Sequence, residues 1–330
     1  MTSVTVRPGP IAGVLDNPWM LFATRRLGRL VASLWVLGTA AFLMIHLIPG
    51  DPVRSSLGLT APVELVSARR KALGLDDPLP TQYWHYLKGV FTGDFGVSMS
   101  SNLPVSQIIG DRLPATMLLA VLAFVVVVVV SVPLGAAMAV LTRGGRRRGT
   151  ELAFTSSSVL LAAIPPFLLA VGLVYLFGVH LRWLPVAGRS GLDSYVLPVA
   201  SLAIGPIAVL ARIVRVEMLA VLGNDFIRTA RAKRLPARLI YARHALPNAM
   251  TATLTLCGLL LTGLVAGTVL VENVFAWPGL GSTIVQSIQA KDYPTVQGIV
   301  LVYGIGVLVV NLVVDVLLAV LDPRSTIREA

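Results

Sequence analysis

The chain has 330 residues, of which 55% are apolar and 13% are charged, about half the charged share of an ordinary soluble domain. Its mean hydropathy is +0.81, yet 27 Lys and Arg face 16 Asp and Glu, a formal net charge of +11. That balance excludes an ordinary soluble enzyme, a disordered tail and a disulfide-rich secreted domain, and leaves an integral membrane protein.

In chain order, residues 1–28 read as a cytoplasmic N-terminal leader, with Pro8, Pro10 and Pro18 breaking any long helix. Residues 29–321 form the membrane domain. Long uncharged runs predict spans at about 30–49, 115–141, 152–178, 195–220, 249–271 and 295–321, each near the ~20 residues needed to cross hydrocarbon. The first span ends in Ile-Pro-Gly-Asp, not in a small-x-small site, so it is not a cleaved signal peptide. Residues 50–113 are an extracytoplasmic insertion, expected to be a small, partly helical cap. Its Gln82-Tyr83-Trp84-His85-Tyr86 stretch suits the membrane interface.

The second span contains the six-valine run Val125–Val130. β-Branching disfavours helix in water, but lipid forbids unpaired backbone, so helix is expected there. Pro133, Pro165, Pro166 and Pro206 lie inside spans and predict kinks. Asp315, in the last span, is a candidate membrane-buried ion pair with Arg26, Arg29 or Arg212. Residues 322–330 form a tail. The fold class is therefore an all-α six-helix transmembrane bundle with a small cap.

Charge orients the bundle. Segments 1–29, 142–151, 212–247 and 322–330 carry 18 Lys and Arg, against 9 in the alternate segments. The positive-inside rule places both termini in the cytoplasm. Basic residues sparsely interrupting apolar runs do not form a nucleic-acid face. Cys257 is the single cysteine, and His46, His85, His180 and His244 show no metal spacing. With no phosphate loop and no nucleophile elbow in the sequence, no catalytic residue, metal or bound cofactor is expected.

The loop at 221–247 carries the strongest functional pattern. Gly223-Asn224-Asp225 ends one helix and caps the next, with Asp225 at the expected N-cap. Phe226 to Lys233 makes two turns, and Pro236 opens a further helix. Such a short helix, held by a helical hairpin, transmits a push from a soluble partner to two spans. A plain basic loop attracted to anionic lipid is the competing reading.

The residue order resembles the coupling, or EAA, loop of ABC-importer permeases. Arg228-Thr229-Ala230-Arg231-Ala232-Lys233-Arg234-Leu235 is similar to the Arg-Thr-Ala-x-Ala-Lys-Gly-Leu of the peptide-importer branch, and Leu246-Pro247 matches its terminal pair. Arg234 stands where that branch has glycine, so Leu235-Pro236 is the expected site of the break. The resemblance covers roughly residues 22–324. It includes Pro49-Gly50-Asp51-Pro52, Leu-Gly-Leu-Asp-Asp-Pro (73–78), Gly93-Asp94-Phe95-Gly96-Val97-Ser98, Arg112-Leu113-Pro114-Ala115-Thr116, the Glu272-x-x-Phe275-x-Trp277-Pro278-Gly279-Leu280-Gly281 turn and Leu321-Asp322-Pro323-Arg324.

The resemblance implies a dipeptide/oligopeptide importer permease with a long first outside loop. It implies a second homologous permease, two ABC ATPase domains that bind ATP and Mg, an extracytoplasmic substrate-binding lipoprotein, and surrounding lipid. Asp225, Phe226, Arg228, Thr229, Ala230, Arg231, Lys233, Arg234, Leu246 and Pro247 would form the ATPase-coupling loop. Glu272, Phe275, Trp277 and Gly279 are a candidate outer gate. Nickel chelates, glutathione and haem are alternative cargoes within the family. A stand-alone secondary transporter or channel is the rival class, but it calls for repeats and midplane charges that the sequence does not display.

Overall fold

The computed structural model describes residues 18–47, 53–54, 61–72, 74–145 and 147–321. The Pro49-Gly50-Asp51-Pro52 motif, Leu73 and the tail at 322–330 lie outside these residues.

Helix α1, Pro18–Leu47, starts earlier than the sequence predicts. Residues 18–28, expected in the leader, are helical, because proline suits the first turn, where its missing N–H would have no intrahelical partner. Two short helices follow in the insertion, α2 (Val63–Ala72) and α3 (Leu79–Thr92). An isolated bridge pairs Val97 with Pro104. Helix α4 then runs from Val105 to Thr142, so residues 105–113 belong to it and not to the cap. It continues unbroken through Pro114, Pro133 and the valine run.

The third span departs most from expectation. It is split into α5 (Arg148–Ala163) and α6 (Pro166–Leu173), which continues as a wider π-helical segment, Val174–His180. The two parts are bent by 95°. Consecutive prolines account for this. A residue before proline is driven out of the helical region, and both Ile164 (φ −80°, ψ 120°) and Pro165 (φ −60°, ψ 143°) are extended. A single Pro206 inside α7 (Val196–Leu222) produces no such break.

Helix α8, Asp225–Ala232, is followed by a short helical stretch and a π-helical turn, Ile240–Ala245. That turn leads into α9 (Leu246–Val274). Helix α10 (Leu280–Gln289) and helix α11 (Tyr293–Leu321) complete the described fold. Among the described residues, five helices are long and apolar enough to cross a membrane, or six if the bent pair is one span.

Helices α4 and α7 form the centre of the bundle, with α9 against α7. In lipid, close packing replaces water exclusion as the cohesive force, and small residues permit it. Ala115, Ala120, Ala123 and Ala139 on α4 are buried, as are Ala203, Ala208 and Ala211 on α7. Gly135 is the closest point. A Cβ there would collide with the Ala211 carbonyl oxygen and with Val214.

Candidate functional site

The loop between α7 and α9 is built on its own apolar core. Met218, Val221 and Leu222 at the end of α7 meet Ile227 and Ala230 of α8, Ile240 and Ala245 of the π-helical turn, Ala249 of α9, and Ala139 of α4. On α8, Ile227 and Ala230 are three positions apart and lie on one face of the helix, both buried at 0% and 7% exposure. Phe226 stays 44% exposed. The side chains of Asp225 and Arg228 are 93% and 77% exposed. Thr229 and Arg231 are exposed too. The helix therefore presents an anchored face inward and a mixed aromatic and charged face outward. Leu246 packs on the same core, and Pro247 occupies the first turn of α9.

Two local expectations are corrected. The N-cap of α8 is Asn224, with extended backbone (φ −72°, ψ 154°), and Asp225 is the first helical residue. There its carboxylate favours the positive helix end and accepts from Arg228 Nη1 at 3.2 Å. At the other end, the break does not wait for Leu235-Pro236. Arg234 itself adopts φ +58°. Its N–H donates to the Arg231 carbonyl at 2.8 Å, and the Leu235 N–H donates to the Ala230 carbonyl at 3.3 Å. These two bonds define a Schellman motif, in which the left-handed position is ordinarily glycine.

A polar tie beneath this loop was not legible as a site in the sequence. Arg215, buried on α7, donates from Nε to Thr142 Oγ1 at 3.0 Å and from Nη2 to Glu151 Oε1 at 2.6 Å. It thus joins the end of α4 and the start of α5 to α7. Arg143 Nη2 adds a bond to the Leu222 carbonyl at 3.1 Å. The available signal was one cation flanked by Val214 and Val216 in an apolar helix.

At the other end of the bundle, two motifs distant in sequence converge. Glu272 is fully buried. Its Oε1 accepts from the Thr116 hydroxyl at 2.7 Å, and its Oε2 accepts from the Gly281 N–H at 2.7 Å and the Ser282 N–H at 3.1 Å. The last two are first-turn N–H groups of α10, so the carboxylate caps that helix from outside it. Thr116 in turn accepts from the Leu280 N–H at 2.8 Å. Trp277 is fully buried, donates from Nε1 to the Ala115 carbonyl at 3.3 Å, and meets Tyr195 edge-on with centroids 4.7 Å apart. The Phe275 carbonyl accepts from the Gly188 N–H at 2.8 Å. A Cβ at Gly279 would collide with the Glu272 carboxylate.

Comparison with known proteins decides what this arrangement belongs to. Residues 131–327 match the family described as "Binding-protein-dependent transport system inner membrane component", and residues 19–120 match its N-terminal counterpart. The chain belongs to this permease family. The glutathione transport system permease protein GsiC of Salmonella typhimurium is 39% identical over 303 residues, covering 92% of this chain and 97% of that protein. GsiC of Escherichia coli K12 is 36% identical over 302 residues, with the same coverage. Among solved structures, a chain of the MetNI methionine ABC transporter in inward-facing conformations aligns with a TM-score of 0.51 at 18% identity. The alignment covers 65% of this chain and 96% of that one. The likeness extends to the fold: an all-helical ABC-transporter permease, here with a small helical cap.

Two further carboxylates of the permease are tied across elements. Asp292, just before α11, accepts from the hydroxyls of Ser98, Ser100 and Thr295 and from the Met99 N–H. This clamps the insertion to the last long helix. Burial pushes the Asp292 carboxyl up, but these four hydrogen bonds outweigh it and hold the group below its ordinary range. Asp315 on α11 pairs with Arg26 on α1 at 2.6 Å, both side chains part-exposed at 23% and 30%. Among the described residues, no group of three or more His, Cys, Asp or Glu is placed to hold a metal ion.

Proposed function

We propose that this permease is one of two membrane-spanning halves of an ATP-driven importer, passing di- and oligopeptides delivered by an extracytoplasmic binding protein. Glutathione, a tripeptide and the cargo named for the GsiC relatives, falls inside that class. The chain is the non-catalytic subunit. ATP and Mg belong to two partner ATPase domains, and no cofactor is assigned here. The charge asymmetry supports a cytoplasmic position for both termini and for the loop at 221–247.

One observation carries the reading: α8 is fixed by Ile227 and Ala230 to the facing ends of α7 and α9, with Phe226 and its charged neighbours free to meet a partner. Displacement of α8 by closing ATPases would move two long helices as a unit. The ligand then favours one of two bundle states by its differential contacts. At the opposite end, Glu272, Phe275 and Trp277 are interior, so we assign the outer gate to α10, the element they anchor.

The test is Phe226→Ala with Arg228→Glu, two solvent-facing changes that leave the anchored face intact. Co-purified ATPase is expected to fall about tenfold or more, which corresponds to ~1.4 kcal/mol or more, while the permease stays monodisperse. Wild-type yield of the ATPase would overturn the docking role. Uptake of labelled dipeptide and glutathione, with and without the chain, tests the cargo. Unchanged uptake of both would reject the peptide class.

A further inference from the structure

Beside α10 lies a polar cleft of about 410 Å³. One wall is the first part of α4, where Ile108, Asp111 and Arg112 share a helix face by their spacing of three and four. The other wall is α10, which contributes Thr283, Gln286 and Ser287 at the same kind of spacing. Asp292 also lines the cleft, but it already accepts hydrogen bonds from Ser98, Met99, Ser100 and Thr295. Asp111, Arg112 and Gln286 differ from it. All three are exposed, and among the described residues their side chains have no hydrogen bond or ion pair. Opposite charges thus stand at consecutive positions of one helix without pairing. An unpaired anion, an unpaired cation and a free amide in one cleft suit a ligand that carries both charges and an amide between them.

We propose that this cleft is a binding subsite for short peptides with free ends: Asp111 takes the terminal ammonium, Arg112 the terminal carboxylate and Gln286 the peptide amide. This rests on the peptide-importer reading given above and adds to it the residues that meet the cargo. The planar fork of an arginine matches a carboxylate with two parallel hydrogen bonds. Capture of the termini reads no side chain, which suits a transporter of mixed sequences. Neighbouring Cα atoms are ~3.8 Å apart, so the two charges are held near each other. One peptide meets both only if it is short, since two or three residues extend over ~7–11 Å. A neutral sugar would leave both charges unmatched. The two walls are also joined elsewhere, through Thr116 of α4 and the Leu280 N–H of α10. A ligand that bridges them therefore favours the bundle state in which they stand at this separation.

The experiment uses the complete transporter in nanodiscs, without binding protein and without ATP. In a Cys257→Ala background, Leu103→Cys places a thiol at a 45% exposed position that lines the cleft, and its rate of reaction with a maleimide is read on this chain. Millimolar L-alanyl-L-alanine is expected to slow that reaction about threefold or more, which corresponds to roughly two-thirds occupancy. The rate at Leu192→Cys stays unchanged. N-acetylation of the peptide and Asp111→Asn are expected to weaken protection equally and not additively, because they remove the two sides of one contact. C-amidation and Arg112→Gln behave as the second such pair. An unchanged labelling rate overturns the proposal, and so does equal protection by a dipeptide blocked at both ends. Protection by purified binding protein free of peptide assigns the cleft to protein docking and overturns it as well. If the dipeptide gives no protection while its uptake depends on the chain, only this subsite falls. If uptake is also independent of the chain, the peptide reading falls with it.

Discussion

Glu272 shows how one carboxylate organises a turn that sequence order alone presents as a motif. Two first-turn N–H groups of α10 and the Thr116 hydroxyl all point at it, so every contact is one it accepts. Glu272→Gln replaces one oxygen by a donor and leaves a buried N–H or hydroxyl unmatched, at a cost of about 1–3 kcal/mol. Gly281→Ala is expected to cost a similar ~1–3 kcal/mol by overpacking. Its Cβ would lie 2.5 Å from Val269 Cα and 2.9 Å from Glu272 Oε2. Thermal unfolding of the detergent-solubilised permease reads both. The glycines were visible in the sequence as part of a pattern. Their reason was not, because the atoms they make room for, the Glu272 carboxylate and for Gly281 also the Val269 backbone, belong to the preceding helix α9.

At the level of elements, the long apolar runs were legible because lipid imposes length and polarity on any span. The break between α5 and α6 was read only as a kink. Pro165-Pro166 was in view, but the size of the bend depends on Ile164 leaving the helix as well. The tie at Arg215 was missed for a different reason. Its partners Thr142 and Glu151 lie 73 and 64 positions away, and periodicity does not bring such residues together. Arg215→Gln is expected to cost about 1–3 kcal/mol, because it leaves a charged hydrogen bond unmade. A cycle with Glu151→Gln is expected to return a coupling of ~0.5–3 kcal/mol, since the two side chains share one bond. The Arg26–Asp315 pair was within reach of sequence reasoning, as intramembrane charges seek partners. The choice of Arg26 among three arginines required the packing of α11 on α1.

At the scale of the whole molecule, the net charge of +11 becomes a statement about topology. The orientation proposed from it is open to a direct measurement. Cys257 is the only cysteine and is buried, so Cys257→Ala provides a background for single-cysteine labelling. In that background Leu192→Cys, at a 90% exposed position, is expected to react with an impermeant maleimide on intact spheroplasts. Gly149→Cys, at a position with open space around it, is expected to react only after lysis. The reverse pattern would invert the assignment.

The joint between Thr116 and Glu272 spans 156 positions of sequence. Recombination between two permeases of this family therefore has a preferred cassette. A crossover anywhere between those residues gives a hybrid whose Thr116 comes from one parent and whose Glu272 and α10 turn come from the other. Such hybrids fold well only where both parents share this contact, whereas crossovers before residue 112 or after 282 carry the joint intact.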